Sequence, residues 1–299
     1  MKKIFILAAI AAALFACKSN EPENQTSETA TGALSGVFSV SPNKKVHFSQ
    51  GNLQYQASTG TWRFAANQYD FIGTENGNIS ASYSGWIDLF GWGTSGYNLR
   101  YPYMTSGSGT DYGDGENDIS GTKYDWGVYN AISNGGNKAG LWRTLTWKEY
   151  DYLFAERENA KALQGIAQVN GINGLVILPD DFDMPAGLSF QWNPNSNSSD
   201  DKFSMNTYSL SQWKKMEDAG AVFWPAADMR EKNDAHNAYE NVVGFYWSSS
   251  QDSDESFAVC AEFESRYNGF SAHKKGWVVM FDGETRALGC SVRLVQDID

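Results

Sequence analysis

Histidine, cysteine and proline are scarce in this chain: three, three and seven among 299 residues. His47, His236 and His273 are scattered, and none stands in an H-x-x-x-H or H-E-x-x-H arrangement, which excludes the usual helical zinc signatures. Beyond Cys17 only Cys260 and Cys290 remain. Two thiols so far apart are no scaffold, although in an oxidising compartment they could pair. No C-x-x-C, G-x-S-x-G elbow or P-loop occurs. Positive charge is also short, with 23 Lys and Arg against 35 Asp and Glu for a net charge of −12. A body so acidic is repelled by phosphate backbones, which argues against nucleic acid as a partner. After residue 16 no apolar run approaches the roughly 20 residues that a membrane-spanning helix needs.

What is present begins with MKKIFILAAIAAALFAC. Lys2 and Lys3 form a positive head, Ile4 to Phe15 an apolar run too short to span, and Ala16 a small residue before Cys17. Residues 1–16 therefore read as a signal peptide. The cysteine directly after the small residue resembles a bacterial lipoprotein signal. That resemblance implies that Cys17 becomes a lipidated N-terminus holding the protein to the outer membrane or cell surface. Phe15 is larger than the residue usual there, and a secretory signal with an incidental cysteine is the alternative. Loss of Lys2 and Lys3 would make the chain more acidic still. Residues 17–35 carry few large apolar side chains and read as a flexible tether, unable to offset their own ordering entropy. Within it Lys18 departs from an inner-membrane retention signal, and Glu21 and Glu23 resemble the acidic export signals of Bacteroidetes surface lipoproteins.

Residues 36–299 read as one domain. With 29 glycines and 14% aromatic residues, many short strands and tight turns are expected. GVFSV, KVHFS, NLQYQ and TWRFA near the start are strand-like, separated by turn clusters. From Asn67 to Asn137 periodicity fades into Gly, Ser, Asn, Asp, Trp and Tyr. A structureless loop of that length is improbable, so short strands and turns pinned by Trp86, Phe90, Trp92, Trp126 and Tyr129 are expected. Two helices stand out. Thr146 and Glu149 make a capping box ahead of Trp147, Tyr150, Leu153 and Phe154 at helical spacing. Ser209 and Gln212 make another ahead of Trp213 and Met216, with Gly220 placed for a left-handed C-terminal cap. GLVILPDDF, AVFWPAA, GFYWSSS, SFAVCAEF, WVVMF and CSVRLV read as strands. Periodicity stops at an α+β domain.

WRTLTWKEYDYLF, AVFWPAADMR, GFYWSSS, SFAVCAEF and GCSVRLV resemble the Fibrobacter major paralogous domain and its relatives among Bacteroidetes surface lipoproteins. The resemblance covers about residues 36–296. It implies a C-type-lectin-like fold of the formylglycine-generating-enzyme type: a small antiparallel sheet where the chain ends meet, two flanking helices and long irregular loops. The cysteine pair that binds copper in formylglycine-generating enzymes and the histidine cluster of related sulfoxide synthases have no counterpart here.

Cys260 and Cys290 fall in two strand-like segments. A cross-strand disulfide there would constrain the unfolded chain by about 3 kcal/mol, and two buried free thiols are the alternative. Asp111, Asp114, Glu116, Asn117 and Asp118 crowd oxygen ligands into a calcium candidate, but the spacing fails the EF-hand pattern and a solvated acidic turn explains it too. Asp180, Asp181 and Asp183 are candidate paired carboxylates of the glycosidase kind, or simply the turn that ends a strand. The resemblance places recognition on the C-terminal loops. There Asp252, Asp254, Arg266, Tyr267, Asn268, Phe270, His273 and Lys274 are the candidate ligand-binding residues, with Asp282 to Arg286 as a further turn. Relatives diversify this region through Asn-rich variable codons, whereas these loops are not Asn-rich. The expectation is a non-enzymatic, lipid-anchored surface protein that recognises a protein or glycan and needs no cofactor. The alternatives are a glycan-processing or divergent formylglycine-generating-type enzyme, and a passive structural subunit.

Overall fold

The computed structural model describes residues 32–115, 117–192, 203–235, 240–264 and 279–298. The signal peptide, Cys17 and nearly all of the tether lie outside them, as do Glu116, His236 and residues 265–278. In chain order the regular elements are β1 (Phe38–Ser41), β2 (Lys44–Phe48), β3 (Leu53–Gln56), β4 (Thr61–Phe64), α1 (Trp126–Tyr129) and α2 (Trp147–Asp151). They continue as β5 (Gln164–Val169), β6 (Ile172–Ile177), β7 (Thr207–Tyr208), α3 (Leu210–Asp218), β8 (Val222–Pro225), β9 (Arg230–Glu231) and β10 (Asp234–Ala235). The last five are β11 (Val243–Gln251), β12 (Phe257–Glu264), β13 (Met280–Thr285), β14 (Leu288–Gly289) and β15 (Val295–Ile298). The result is α+β, mostly small antiparallel sheets with few helices.

Among the described residues five sheets form, in the orders β1-β2-β15, β3-β4, β7-β5-β6-β8, β10-β9-β14 and β11-β12-β13. Only β5 with β7 is parallel among these pairs. Near the end of the chain, β15 lies antiparallel to β2, with Val295 opposite Phe48 and Ile298 opposite Lys45. Arg143 reinforces that junction by bonding Glu149 on α2 and Asp297 on β15. One core cluster packs Phe38, Val46 and Phe48 against Tyr150, Leu153 and Phe154, reaching Trp224 and Tyr246, whose rings stack 4.4 Å apart. A second gathers Trp62, Phe90, Trp92, Trp126, Trp142 and Trp247. A third packs Trp213 and Met216 of α3 on the other face of the four-stranded sheet.

Both capping boxes form. Thr146 Oγ1 accepts from Glu149 N while Glu149 bonds Thr146 N, and Ser209 with Gln212 does the same. Gly220 takes φ +94°, the left-handed conformation that closes α3. Three expectations about regular elements need correction. Between Asn67 and Asn137 isolated bridges and 3₁₀ turns stand in place of short strands, because side chains take over backbone pairing. Asp282 to Thr285 is not a turn but the end of β13, and the chain turns at Arg286 and Ala287. CSVRLV is not one ladder strand: its carbonyls serve Phe90, Trp247, Leu53 and Ser49 in succession, so it threads between sheets.

The tryptophans are mostly core, but Trp86 is half-buried under the Arg63 guanidinium and Trp147 is 38% exposed. Tyr129, expected inside, is 40% exposed. Arg293 is fully buried, and its side-chain partners are amides. Nη1 donates to Asn52 Oδ1 at 3.2 Å and Nη2 to Gln68 Oε1 at 2.9 Å. Gln68 Nε2 in turn donates to Glu217 Oε1 at 2.9 Å, so the positive charge reaches a carboxylate through an amide. Burial lowers the Arg293 pKa to about 10.

Candidate functional site

β11 and β12 are the longest strands, and the turn between them carries Asp252 and Asp254. Their ladder pairs Val243 with Glu264 through to Trp247 with Cys260, then shifts register before Gln251 meets Ala258. That irregularity lets the turn fold onto itself: Phe257 N donates to Asp254 O at 2.9 Å and Ser256 N to Asp254 Oδ1 at 2.8 Å. The Asp252 carboxylate accepts from the Ser253 hydroxyl at 2.8 Å.

The structure brings this turn against the calcium-candidate loop, a pairing that sequence reasoning missed. Gln251 N donates to Asp118 Oδ1 at 2.8 Å, and Ile119 N to Ser249 O at 2.9 Å. Arg286 joins the two. Its Nε donates to Phe257 O at 3.0 Å, its Nη1 to Gly115 O, and its backbone N to Ser256 O at 2.9 Å. The guanidinium lies 4.5 Å from the centre of the Trp92 ring, a cation–π contact. Gly113, at φ +68°, allows this stack, since a Cβ there would fall 2.3 Å from the Trp92 ring. Burial lowers the Arg286 pKa, opposed by Glu255, Asp254 and Asp118. The arrangement is a rigid acidic rim organised by one buried cation. Phe257 adds an apolar face at the rim, 36% exposed. The only forewarning of Arg286 in the sequence is a lone arginine beside a turn.

Within the loop Asp111 accepts from the Ser106 hydroxyl and Asp114 bridges Asn117, while Glu116 lies outside the described residues. Among the described residues no three His, Cys, Asp or Glu side chains converge as a metal site. The Arg286 guanidinium bonds the Gly115 carbonyl in the middle of this loop. Of the candidate ligand-binding residues, Arg266, Tyr267, Asn268, Phe270, His273 and Lys274 lie outside the described residues.

Cys260 and Cys290 are both buried free thiols. The ladder partners of Cys260 are Trp247 and Asp282, and Cys290 bridges Phe90, so the two strand-like segments are not neighbours in one ladder. Burial raises both thiol pKa values well above the usual range. On the same face as Cys260, Glu262, Glu264, Asp282 and Glu284 crowd together across β12 and β13. Burial, then Glu264, Glu284 and Asp282, push the Glu262 carboxyl up to about 7.

Asp180 is a strut. Its oxygens accept from Ser39 N at 3.1 Å, Ser39 Oγ at 2.6 Å and Arg157 Nη1 at 3.1 Å, with Lys45 Nζ at 3.4 Å. Burial alone would raise its pKa, but the Ser39 and Arg157 bonds outweigh it and hold the carboxyl below its usual range. A carboxylate so held is poorly suited to giving up a proton as a general acid. Asp181 and Asp183 are exposed. No family model, curated protein or solved structure matches this chain.

Proposed function

We propose that this chain is a lipid-anchored surface protein whose C-type-lectin-like domain recognises a protein or glycan through its C-terminal loop cluster, without catalysis. The observation that carries the reading is the Arg286 hub. It fixes the 251–257 turn and the 109–118 loop on the long β11–β12 ladder, presenting Asp252, Asp254 and Phe257 from a rigid support. A preorganised scaffold with exposed polar and aromatic groups is how many recognition surfaces are built. The lectin-like part of the proposal draws support from the β2–β15 pairing of the two ends of the domain and from two capped helices, features that the resembling fold shares.

Asp254 and Phe257 are exposed and outside the core, so changing both to Ala separates binding from stability. In pull-downs and glycan arrays with the full-length chain, Asp254→Ala with Phe257→Ala is expected to weaken the captured ligand at least tenfold, about 1.4 kcal/mol, with the melting temperature lowered by no more than about 2–4 °C for the lost Ser256 bond. Undiminished capture would place recognition elsewhere. Cys17→Ala is expected to release the protein from membranes into the soluble fraction, and retention with unchanged processing would remove the lipid anchor.

A further inference from the structure

The helix α2 carries a tryptophan on its surface. Trp147 occupies the first helical position after the Thr146 cap, and its indole stays 38% exposed while Tyr150, Leu153 and Phe154 turn inward. The helix then widens into a π-turn, Tyr152–Glu156, which buries Leu153 and Phe154 and leaves Tyr152 half-buried at the surface. Such widened turns often mark functional sites. Trp147 and Tyr152, facing Val40 and Ser41 of β1, line an open hollow of about 360 Å³.

Tyr152 also borders a second hollow of about 280 Å³, whose lining is polar: Ser39, Lys45, Arg157, Asn159 and Asp181 around Asp180. Arg157 is only 4% exposed. Its Nη1 meets Asp180 and its Nη2 donates to Leu178 O at 3.0 Å, but its Nε has no hydrogen-bond partner. That nitrogen is itself closed off from solvent, so the guanidinium is a fixed wall of the hollow, held by Asp180 and Leu178. The two hollows adjoin at Tyr152, one flanked by Trp147 and the other polar, and together make the groove.

We infer that this groove binds a short neutral or amine-bearing oligosaccharide, at a site distinct from the C-terminal loops and independent of them. Flat, partly exposed rings offer the stacking surface that the C–H face of a sugar fits, and carboxylates and amides accept from neighbouring hydroxyls. Each hollow is close to the roughly 300 Å³ lower bound of small-ligand pockets, room for about one sugar ring apiece. Charge selects the ligand further. Glu149 is paired with Arg143 and Lys44, and Asp180 with Arg157 and Lys45, but Asp151, Glu156, Glu158 and Asp181 are set against Lys148 alone, so an anionic polysaccharide is repelled. An extended peptide is disfavoured for a different reason. β1 is an edge strand, but Asp180 already occupies Ser39 N and donates its own N–H to Val37 O, which blocks strand addition along that edge.

The test is titration calorimetry of the full-length chain with short gluco-, manno- and chito-oligosaccharides, beside a uronic-acid oligomer. Binding of at least one neutral or amine-bearing probe is expected, with quenching or a blue shift of tryptophan emission. Trp147→Ala and Tyr152→Ala are each expected to weaken it about tenfold at an unchanged melting temperature, and Trp147→Phe to retain most of it. Absence of binding by every probe, or equal binding of the uronic-acid oligomer, overturns the inference. So does loss of binding through Asp254→Ala with Phe257→Ala while Trp147→Ala binds normally, which would assign the sugar to the loop cluster. Sugar binding that survives the loop changes, with protein capture lost, keeps this groove and leaves the loops to a protein ligand.

Discussion

The four-stranded sheet with α3 and the stretch from Asn67 to Asn137 solve one problem in opposite ways. In the first, backbone donors and acceptors close on one another: Gln164 to Val169 pairs with Ile177 to Ile172 without interruption, and Gly174 to Ile177 with Pro225 to Val222. In the second, side chains do the closing. Asn76 makes four bonds, accepting from Asp88 N and Leu89 N and donating to Gly73 O and Asp88 Oδ1. The Asn134 amide exchanges two bonds with the backbone of Phe64, at 2.7 and 3.0 Å, as a neighbouring strand would. Asp125 accepts from Thr144 N and Gly127 N. A region with almost no ladder thus closes much of its backbone through side chains, and its integrity rests on single residues.

The largest effects should come from the aromatic core that the irregular stretch shares with β11. Trp126→Ala, in the irregular stretch, and Trp247→Ala, in β11, are each expected to cost about 3–5 kcal/mol in denaturant melts, since both rings are fully buried. A loss below about 1 kcal/mol at Trp126 would make the irregular region a passenger on the sheets. Arg293→Ala should cost about 1–3 kcal/mol, from amide oxygens of Asn52 and Gln68 left without a donor. An unchanged melt with lost ligand binding would make Arg293 a site residue. Asn76→Ala is expected to fall in the same range, because it strands Asp88 N and Leu89 N together. Near-native stability there would show that water replaces the side chain freely. In the regular half a single cap matters less: Ser209→Ala should cost about 1 kcal/mol, and a loss as large as that at Asn76 would erase the contrast.

Last is a pH effect, carried by the acidic face of β12 and β13 together with Asp88 and Asp125 of the irregular stretch. Glu262 is raised from 4.5 to about 7, and buried Asp88 and Asp125 from 3.8 to about 6. Folded values above unfolded ones mean that their contribution is complete below about 4 and is lost as pH rises towards 7. The lowered carboxyls of Glu149, Asp180 and Asp297 act in the opposite sense, losing their contribution as pH falls below about 4. Melting temperature is therefore expected to fall between pH 5 and about pH 8, and Glu262→Gln to recover a few degrees at pH 8 and almost nothing at pH 4. An equal shift at both ends would assign the effect to packing.

The same contrast explains what could be read in advance. Strands of alternating Val, Phe, Tyr and Trp, the boxes at Thr146 and Ser209 and the cap at Gly220 were legible because their signals are local: period, spacing and φ preference. The strand β5, with Gly165, Ala167 and two glutamines, was not, because its pairing comes from β6. Trp147 keeps helical spacing with Tyr150 and Leu153 yet faces outward, since the first helical position precedes the turn that reaches the core. Nothing local tells which asparagine replaces a ladder, or that Arg286 would join loops lying far apart in the chain. Of the proposed recognition surface, Asp252 and Asp254 are candidates already in the sequence, while the groove beside Tyr152 is a product of tertiary packing alone.

The pairing of β15 with β2 has a kinetic consequence. Lys44–Phe48 cannot complete its sheet until Val295–Ile298 has left the ribosome, and closing so long a span costs entropy before any contact repays it. The first sheet to be synthesised is accordingly among the last to be finished, and a chain truncated at Arg293 should stay sensitive to protease although more than nine-tenths of its residues are present.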